Sequence, residues 1–213
     1  MKDLHRLGLR GNLPIFIQNF LTERTFQILL CTTLTDKVFP QEEGVPQGAI
    51  LSTTLFNVKL NDIAKELTDG IECSLYVDDF VIFFRSKTIE TIERQLQINI
   101  NKIIKWTIQN GFRVSANKTV AIHFCDCKDP TCPDPTLKLG DTEIRFVNEH
   151  RFLGLIWDKE LTFHSHIQNL LKKCRKSLNI IKILSYSNWE SDSKTLLNLF
   201  RTMIRSKLII YLK

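Results

Sequence analysis

The stretch SLYVDDFVIFF, residues 74–84, sets two aspartates, Asp78 and Asp79, inside a run of strand-favouring apolar residues. Asp is depleted in strands, and neighbouring carboxylates repel each other. With Leu75, Tyr76 and Val77 on one side and Phe80 to Phe84 on the other, the pair falls where a two-residue hairpin turn is expected. A turn with no further duty favours Asn-Gly or Asp-Gly, because the tightest hairpin turns need positive φ. A second Asp gives up that ease. Two readings account for the choice. One is a plain hairpin turn; the other is a tip that holds a divalent cation, since Mg²⁺ favours carboxylate oxygens together with substrate phosphates.

Upstream lies GVPQGAILSTTLFNV, residues 44–58. Pro46 and Gly48 mark a turn, and the apolar set Leu51, Leu55, Val58, Ile63 and Leu67 predicts a helix over 49–67. Its entry presents free backbone N–H groups, with Gln47 and Gly48 as a floor for a nucleotide or base, or else is a helix start like any other. Before it, a short helix over 13–21 and a strand over 26–31 are expected. Beyond the hairpin, Ile89, Ile92, Leu96, Ile100, Ile103 and Ile104 line one face of a long helix that stops near Asn110-Gly111. Residues 119–124, 136–147 and 151–157 read as strands. Two helices follow: one with Ile167, Leu170, Leu171, Cys174, Leu178, Ile181 and Leu184 on one face, the other over about 193–208. Strands mixed with helices, then helices alone, predict an α+β body with a helical appendage and a boundary near Trp157–Ser165.

Composition narrows the partners. The chain has 213 residues and a net charge of +6. From Ser165 onward ten Lys or Arg face only Glu190 and Asp192, so that quarter carries +8 and residues 1–164 carry −2. Such asymmetry fits a protein that grips phosphates at one end, or a solvated helix face. No window approaches 18 uninterrupted apolar residues, which speaks against a membrane span, and the charged start MKDLHRLGLRG lacks a signal core. The expected location is therefore intracellular, in cytoplasm and/or nucleus, with the six cysteines reduced. CDCKDPTC, residues 125–132, departs from the C-x2-4-C spacing of zinc sites and reads as a cysteine-bearing loop.

Taken together, a P-Q-G turn entering a helix and then an aromatic-x-D-D hairpin resemble reverse transcriptases, above all those of non-LTR (LINE-type, jockey-like) retrotransposons. NGFRVSANKTVAIHF (110–124), with Lys118 before a strand, and RFLGLIWDKELTFHSHI (151–167), with an F-L-G segment, continue the resemblance in order. SNWESDSKTLLNLFRTMIRSKL is similar to the helical thumb. The resemblance implies a polymerase palm, an antiparallel sheet packed on helices, over 1–160, and a basic thumb-like segment over 161–213. It implies RNA-directed DNA synthesis from an RNA template, a DNA primer and dNTPs, with two divalent ions, Mg²⁺ or Mn²⁺, acting at the primer 3′-OH and the leaving pyrophosphate.

By position, Asp78 would be the metal-binding aspartate, Asp79 a weaker neighbour, and Tyr76 would lie near the primer terminus. Gln47 and Gly48 would line the nucleotide pocket and contact the template. Lys118 would act on the pyrophosphate, or be a solvated lysine. Phe152, Leu153 and Gly154 would support the primer, or pack a hairpin. The family's other aspartate, which bridges both ions, belongs on an earlier palm strand. Upstream of Gly44 this chain has only Asp3 and Asp36, neither in an apolar strand. The expectation is an internal piece of a longer polymerase, without fingers, first palm strand or that aspartate. Its alternative is a catalytically dead retroelement relict that acts at most as a non-specific nucleic-acid-binding module.

Overall fold

A computed structural model describes residues 2–125, 133–186 and 192–211. The chain forms two compact units, Met1–Arg113 and Val114–Lys213. In both, short strands and longer helices mix, as an α+β class requires.

The first unit opens with α1 (Lys2–Arg6) and α2 (Asn12–Leu21). Four two-residue strands follow: β1 (Thr25–Phe26), β2 (Leu29–Leu30), β3 (Thr33–Leu34) and β4 (Phe39–Pro40). β1 pairs with β4 and β2 with β3, both antiparallel. The single strand expected over 26–31 is thus two pieces, β1 and β2, interrupted at Gln27-Ile28, and the chain turns after β2 at Cys31, which takes φ 54°. The helix expected over 49–67 also divides. It runs as α3 (Ile50–Leu60) and then tightens into a 3-10 turn over Asn61–Glu66. Lys65 and Arg6 both bond Asp62 there, and Lys65 above all holds that carboxyl below its ordinary range.

The hairpin of β5 (Glu72–Tyr76) and β6 (Asp79–Phe83) leads to α4 (Ile89–Gln109). Leu60, Ile63, Ile103 and Trp106 form the core of this unit, with Phe56, Leu67, Leu75, Phe80, Ile82 and Phe112 packed on it. Phe112 stacks on Trp106 at 5.7 Å and meets Phe56 edge-on at 6.0 Å. Each such apolar side chain, fully buried, contributes about 1.5–3 kcal/mol. The hairpin is therefore held from behind by α3 and α4. Asn99 on α4 is fully buried. Its Oδ1 accepts the Thr68 N–H at 2.9 Å, and its Nδ2 donates to Thr68 Oγ1 at 2.7 Å and Gln95 O at 2.8 Å. That network ties the approach to β5 onto α4.

The second unit contains β7 (Val120–Ala121), β8 (Lys138–Leu139), β9 (Thr142–Glu143), β10 (Arg145–Phe146), β11 (Glu149–Phe152) and β12 (Leu155–Asp158). β8–β9 and β11–β12 are antiparallel; β7 and β10 pair in parallel. Among the described residues the strands form two-stranded ladders, not the one antiparallel sheet anticipated. Most are only two residues long, too short to recruit a second neighbour.

Then come α5 (His164–Leu184), α6 (Ser193–Phe200), a π-helical turn over Arg201–Arg205, and α7 (Ser206–Tyr211). Lys207 Nζ donates to Ser177 Oγ at 2.6 Å, joining α7 to α5. On α5 the buried positions are His166, Leu170 and Ser177, while Ile167, Leu171 and Leu178 of the expected apolar face are exposed. The stripe is rotated because Ser177 and His166 face inward to bond Lys207 and the Ile156 N–H.

The boundary expected near Trp157–Ser165 falls inside this unit. Asp158 there accepts hydrogen bonds from Thr162 N–H (2.9 Å), Thr162 Oγ1 (3.1 Å) and Phe163 N–H (2.6 Å), and Trp157 lies edge-on to Phe163 at 5.7 Å. Cys31, Cys73 and Cys174 are free, but Cys125 is disulfide-bonded, which corrects the expectation of six thiols. Cys127 and Cys132 lie outside the described residues, and with them the zinc question. No described helix is long and apolar enough to cross a membrane.

Candidate functional site

The β5–β6 ladder runs Glu72↔Phe83, Cys73↔Ile82, Ser74↔Val81, Leu75↔Phe80 and Tyr76↔Asp79. The two-residue turn is therefore Val77-Asp78, one position earlier than the sequence suggested. Only Val77 of the two central residues has positive φ, 54°. A turn of this kind favours Gly first, and positive φ in a β-branched residue is a genuine outlier. Asp78 and Asp79 as the turn would have avoided that strain. Packing decides against it: the observed register sets Leu75 opposite Phe80 and Cys73 opposite Ile82, and Leu75, Phe80 and Ile82 all meet the core. Burying that rung outweighs roughly 1–3 kcal/mol of local strain.

The consequence is a division of labour between the acids. Asp78 stands at the exposed tip, and Asp79 opens β6 on the face opposite Phe80. Tyr76, 61% exposed, closes the last rung beside Asp79. Tyr76, Asp78 and Asp79 are thus brought together by one ladder. Among the described residues no His, Cys, Asp or Glu joins the pair to make a group of three able to hold a metal ion. Asp36 is exposed in the loop between β3 and β4.

Gln47 and Gly48 are exposed, and Gly48 has φ +92° with open space where a Cβ would stand. Ala49 caps α3 without a side-chain hydrogen bond, so the first N–H groups of that helix have no side-chain cap. These five residues belong to the first unit. Lys118 belongs to the second. It is exposed in a turn closed by its own N–H to Ser115 O at 3.2 Å, immediately before β7. Phe152 ends β11, and Leu153-Gly154 make a two-residue turn to Leu155, with φ 48° and 88°. Leu153 is half exposed at that tip.

Residues 1–167 match the family described as Reverse transcriptase (RNA-dependent DNA polymerase). The chain belongs to the reverse transcriptase family. It is similar to the RNA-directed DNA polymerase from mobile element jockey of Drosophila melanogaster, 27% identical over 169 residues, or 76% of this chain and 18% of that protein. The jockey polymerase of Drosophila funebris is 28% identical over 136 residues, covering 61% and 14%. A Retrovirus-related Pol polyprotein from type-1 retrotransposable element R1 2 of Nasonia vitripennis is 24% identical over 151 residues, covering 68% and 37%. The jockey-like, non-LTR resemblance read from the motifs is thereby borne out. The chain spans less than a fifth of the length of the two jockey relatives it matches. No solved structure matches it.

Within this reverse transcriptase domain, two supporting residues escaped the sequence reading. Asn99 had a signal: an amide between Leu96 and Ile100 on an apolar helix face. Arg24 had none, because the Glu43 and Gly44 carbonyls that its guanidinium meets lie 19 and 20 positions along the chain.

Proposed function

We propose that this chain supplies the palm-type carboxylate hairpin and the basic helical thumb of an RNA-directed DNA polymerase, working on an RNA template, a DNA primer and dNTPs in cytoplasm or nucleus. The observation that carries the reading is the Tyr76-Val77-Asp78-Asp79 tip: two exposed carboxylates on a turn backed by the Trp106 core, in a chain of the reverse transcriptase family.

Asp78 and Asp79 offer the oxygen ligands that Mg²⁺ or Mn²⁺ favours, Asp78 first because it stands at the tip. A bound ion there would neutralise charge at the phosphates and activate the primer hydroxyl. Two ions need more oxygens than this pair provides, so the described residues fit one part of a two-ion site. Tyr76 supports the primer end, Gln47 and Gly48 form the floor under the template and nucleotide, and the role that the family resemblance gives Lys118 is to act on the pyrophosphate. The Phe152-Leu153-Gly154 turn holds the primer strand. Exposed Lys172, Arg175, Lys176 and Lys182 on α5 take the duplex phosphates without reading sequence.

The test is a pair of measurements on the 213-residue chain. Binding to an RNA–DNA hybrid is expected to weaken steeply with salt, and Mn²⁺ titration followed by electron paramagnetic resonance is expected to lose its site in Asp78→Asn. Primer extension with Mg²⁺ or Mn²⁺ is expected to be absent. Mn²⁺ binding indifferent to Asp78→Asn sinks the metal assignment. Extension that needs Asp78 overturns the incomplete donor set. Salt-independent hybrid binding removes the thumb reading.

A further inference from the structure

The P-Q-G turn is held by a residue far from it in sequence. Arg24 follows α2, and its Nε donates to Leu21 O, the last residue of that helix, at 3.0 Å. Its Nη2 donates to Gly44 O at 2.9 Å and reaches Glu43 O at 3.5 Å. Its own carbonyl accepts the Gln41 N–H at 2.8 Å. One residue therefore joins the end of α2 to the chain at Gln41, Glu43 and Gly44. We propose that Arg24 is a positioning residue that sets the orientation of the Pro46-Gln47-Gly48 turn toward the template and nucleotide; this rests on the reading of that turn given above.

The covalent geometry supports the step from clamp to site. Gly44 has φ +78°, a freedom that leaves the loop free to swing unless something fixes it. Pro46 locks its own φ and restricts Val45, so few soft torsions separate the clamped carbonyl from Gln47. Fixing Gly44 O thus fixes the turn. A pure stability device would be built otherwise. Nη1 of Arg24 is buried without a hydrogen-bond partner, and a buried unsatisfied donor works against the fold. The planar fork is what the position uses. A lysine ammonium, one compact point, cannot span Leu21 O and Gly44 O together.

The experiment compares two probes by fluorescence anisotropy: an RNA–DNA hybrid whose RNA extends as a 5′ overhang beyond the DNA 3′ end, and the same hybrid blunt. Arg24→Ala is expected to lower overhang affinity about tenfold, the scale of one charge-assisted contact, and to leave blunt affinity unchanged. Arg24→Lys is expected to fall between, and it decides by the same comparison should Arg24→Ala fail to fold. Gln47→Ala serves as the direct-contact control. Loss of overhang affinity in Gln47→Ala but in neither Arg24 variant overturns the positioning role, as does an equal loss on both probes. No overhang effect in Gln47→Ala overturns the reading of the turn itself.

Discussion

The β5–β6 hairpin and the β11–β12 hairpin both close through two residues, but they meet the demand for positive φ differently. At Leu153-Gly154 both central residues have positive φ, and Gly takes the larger value, 88°. At Val77-Asp78 the left-handed position falls on Val, with no glycine in the turn. The first arrangement is close to what turn chemistry selects; the second runs against it. What differs is the backing. Leu75, Phe80 and Ile82 anchor the acidic hairpin on the Trp106 core, so the ladder imposes its register on an unwilling turn. Strain of this kind persists where surrounding packing over-determines the backbone, and it gathers at functional sites.

The largest expected break in that comparison comes from removing the backing. Trp106→Ala should cost about 3–5 kcal/mol, since Trp106 is buried in the cluster and stacked on Phe112. Hydrogen exchange by mass spectrometry should then show lost protection across Glu72–Phe83; unchanged protection there would mean the hairpin does not depend on the core. Next is Gly154→Val, which places a β-branched residue at φ 88°. It should destabilise the second unit by roughly 1–3 kcal/mol in urea melts. The reciprocal change is smaller and of opposite sign. Val77→Gly should stabilise by about 0.5–1 kcal/mol, relief of left-handed strain less the added chain entropy. A destabilising Val77→Gly would show that Val77 is at ease and that the two turns do not differ in strain.

The smallest effect concerns acid. Asp158, at the end of β12, is held below its usual value of 3.8, first by the Thr162 N–H and then by the Phe163 N–H and the Thr162 hydroxyl. A carboxyl depressed in the native state contributes stability that is present above its unfolded pKa and lost as pH falls through the native value. The second unit should therefore melt earlier below about pH 4, and Asp158→Asn should flatten that acid limb. An unchanged limb would mean those hydrogen bonds carry no linkage.

Much of this was legible in the sequence because it is written locally. The α4 stripe and the acidic hairpin's existence follow from period, propensity and turn residues, whereas the single strand expected over 151–157 is a hairpin, turned at Leu153-Gly154 between β11 and β12. The acidic turn's placement does not, because Val77-Asp78 is a worse turn than its neighbour and wins only through core partners distant in sequence, Leu60, Ile63, Ile103 and Trp106. The same holds for Arg24, whose carbonyl partners are chosen by the path of the loop, and for Ser177, which faces inward because Lys207 meets it. The motifs named the acids; packing decided which one leads.

Asn99 offers a way to time the hairpin's release. Both ends of its amide are committed and none of its surface meets water. Its NH₂ protons can exchange with solvent only when α4 and the Thr68 segment part. Each exchange event therefore records an opening at the root of the acidic hairpin, a process otherwise hidden from probes placed at its tip.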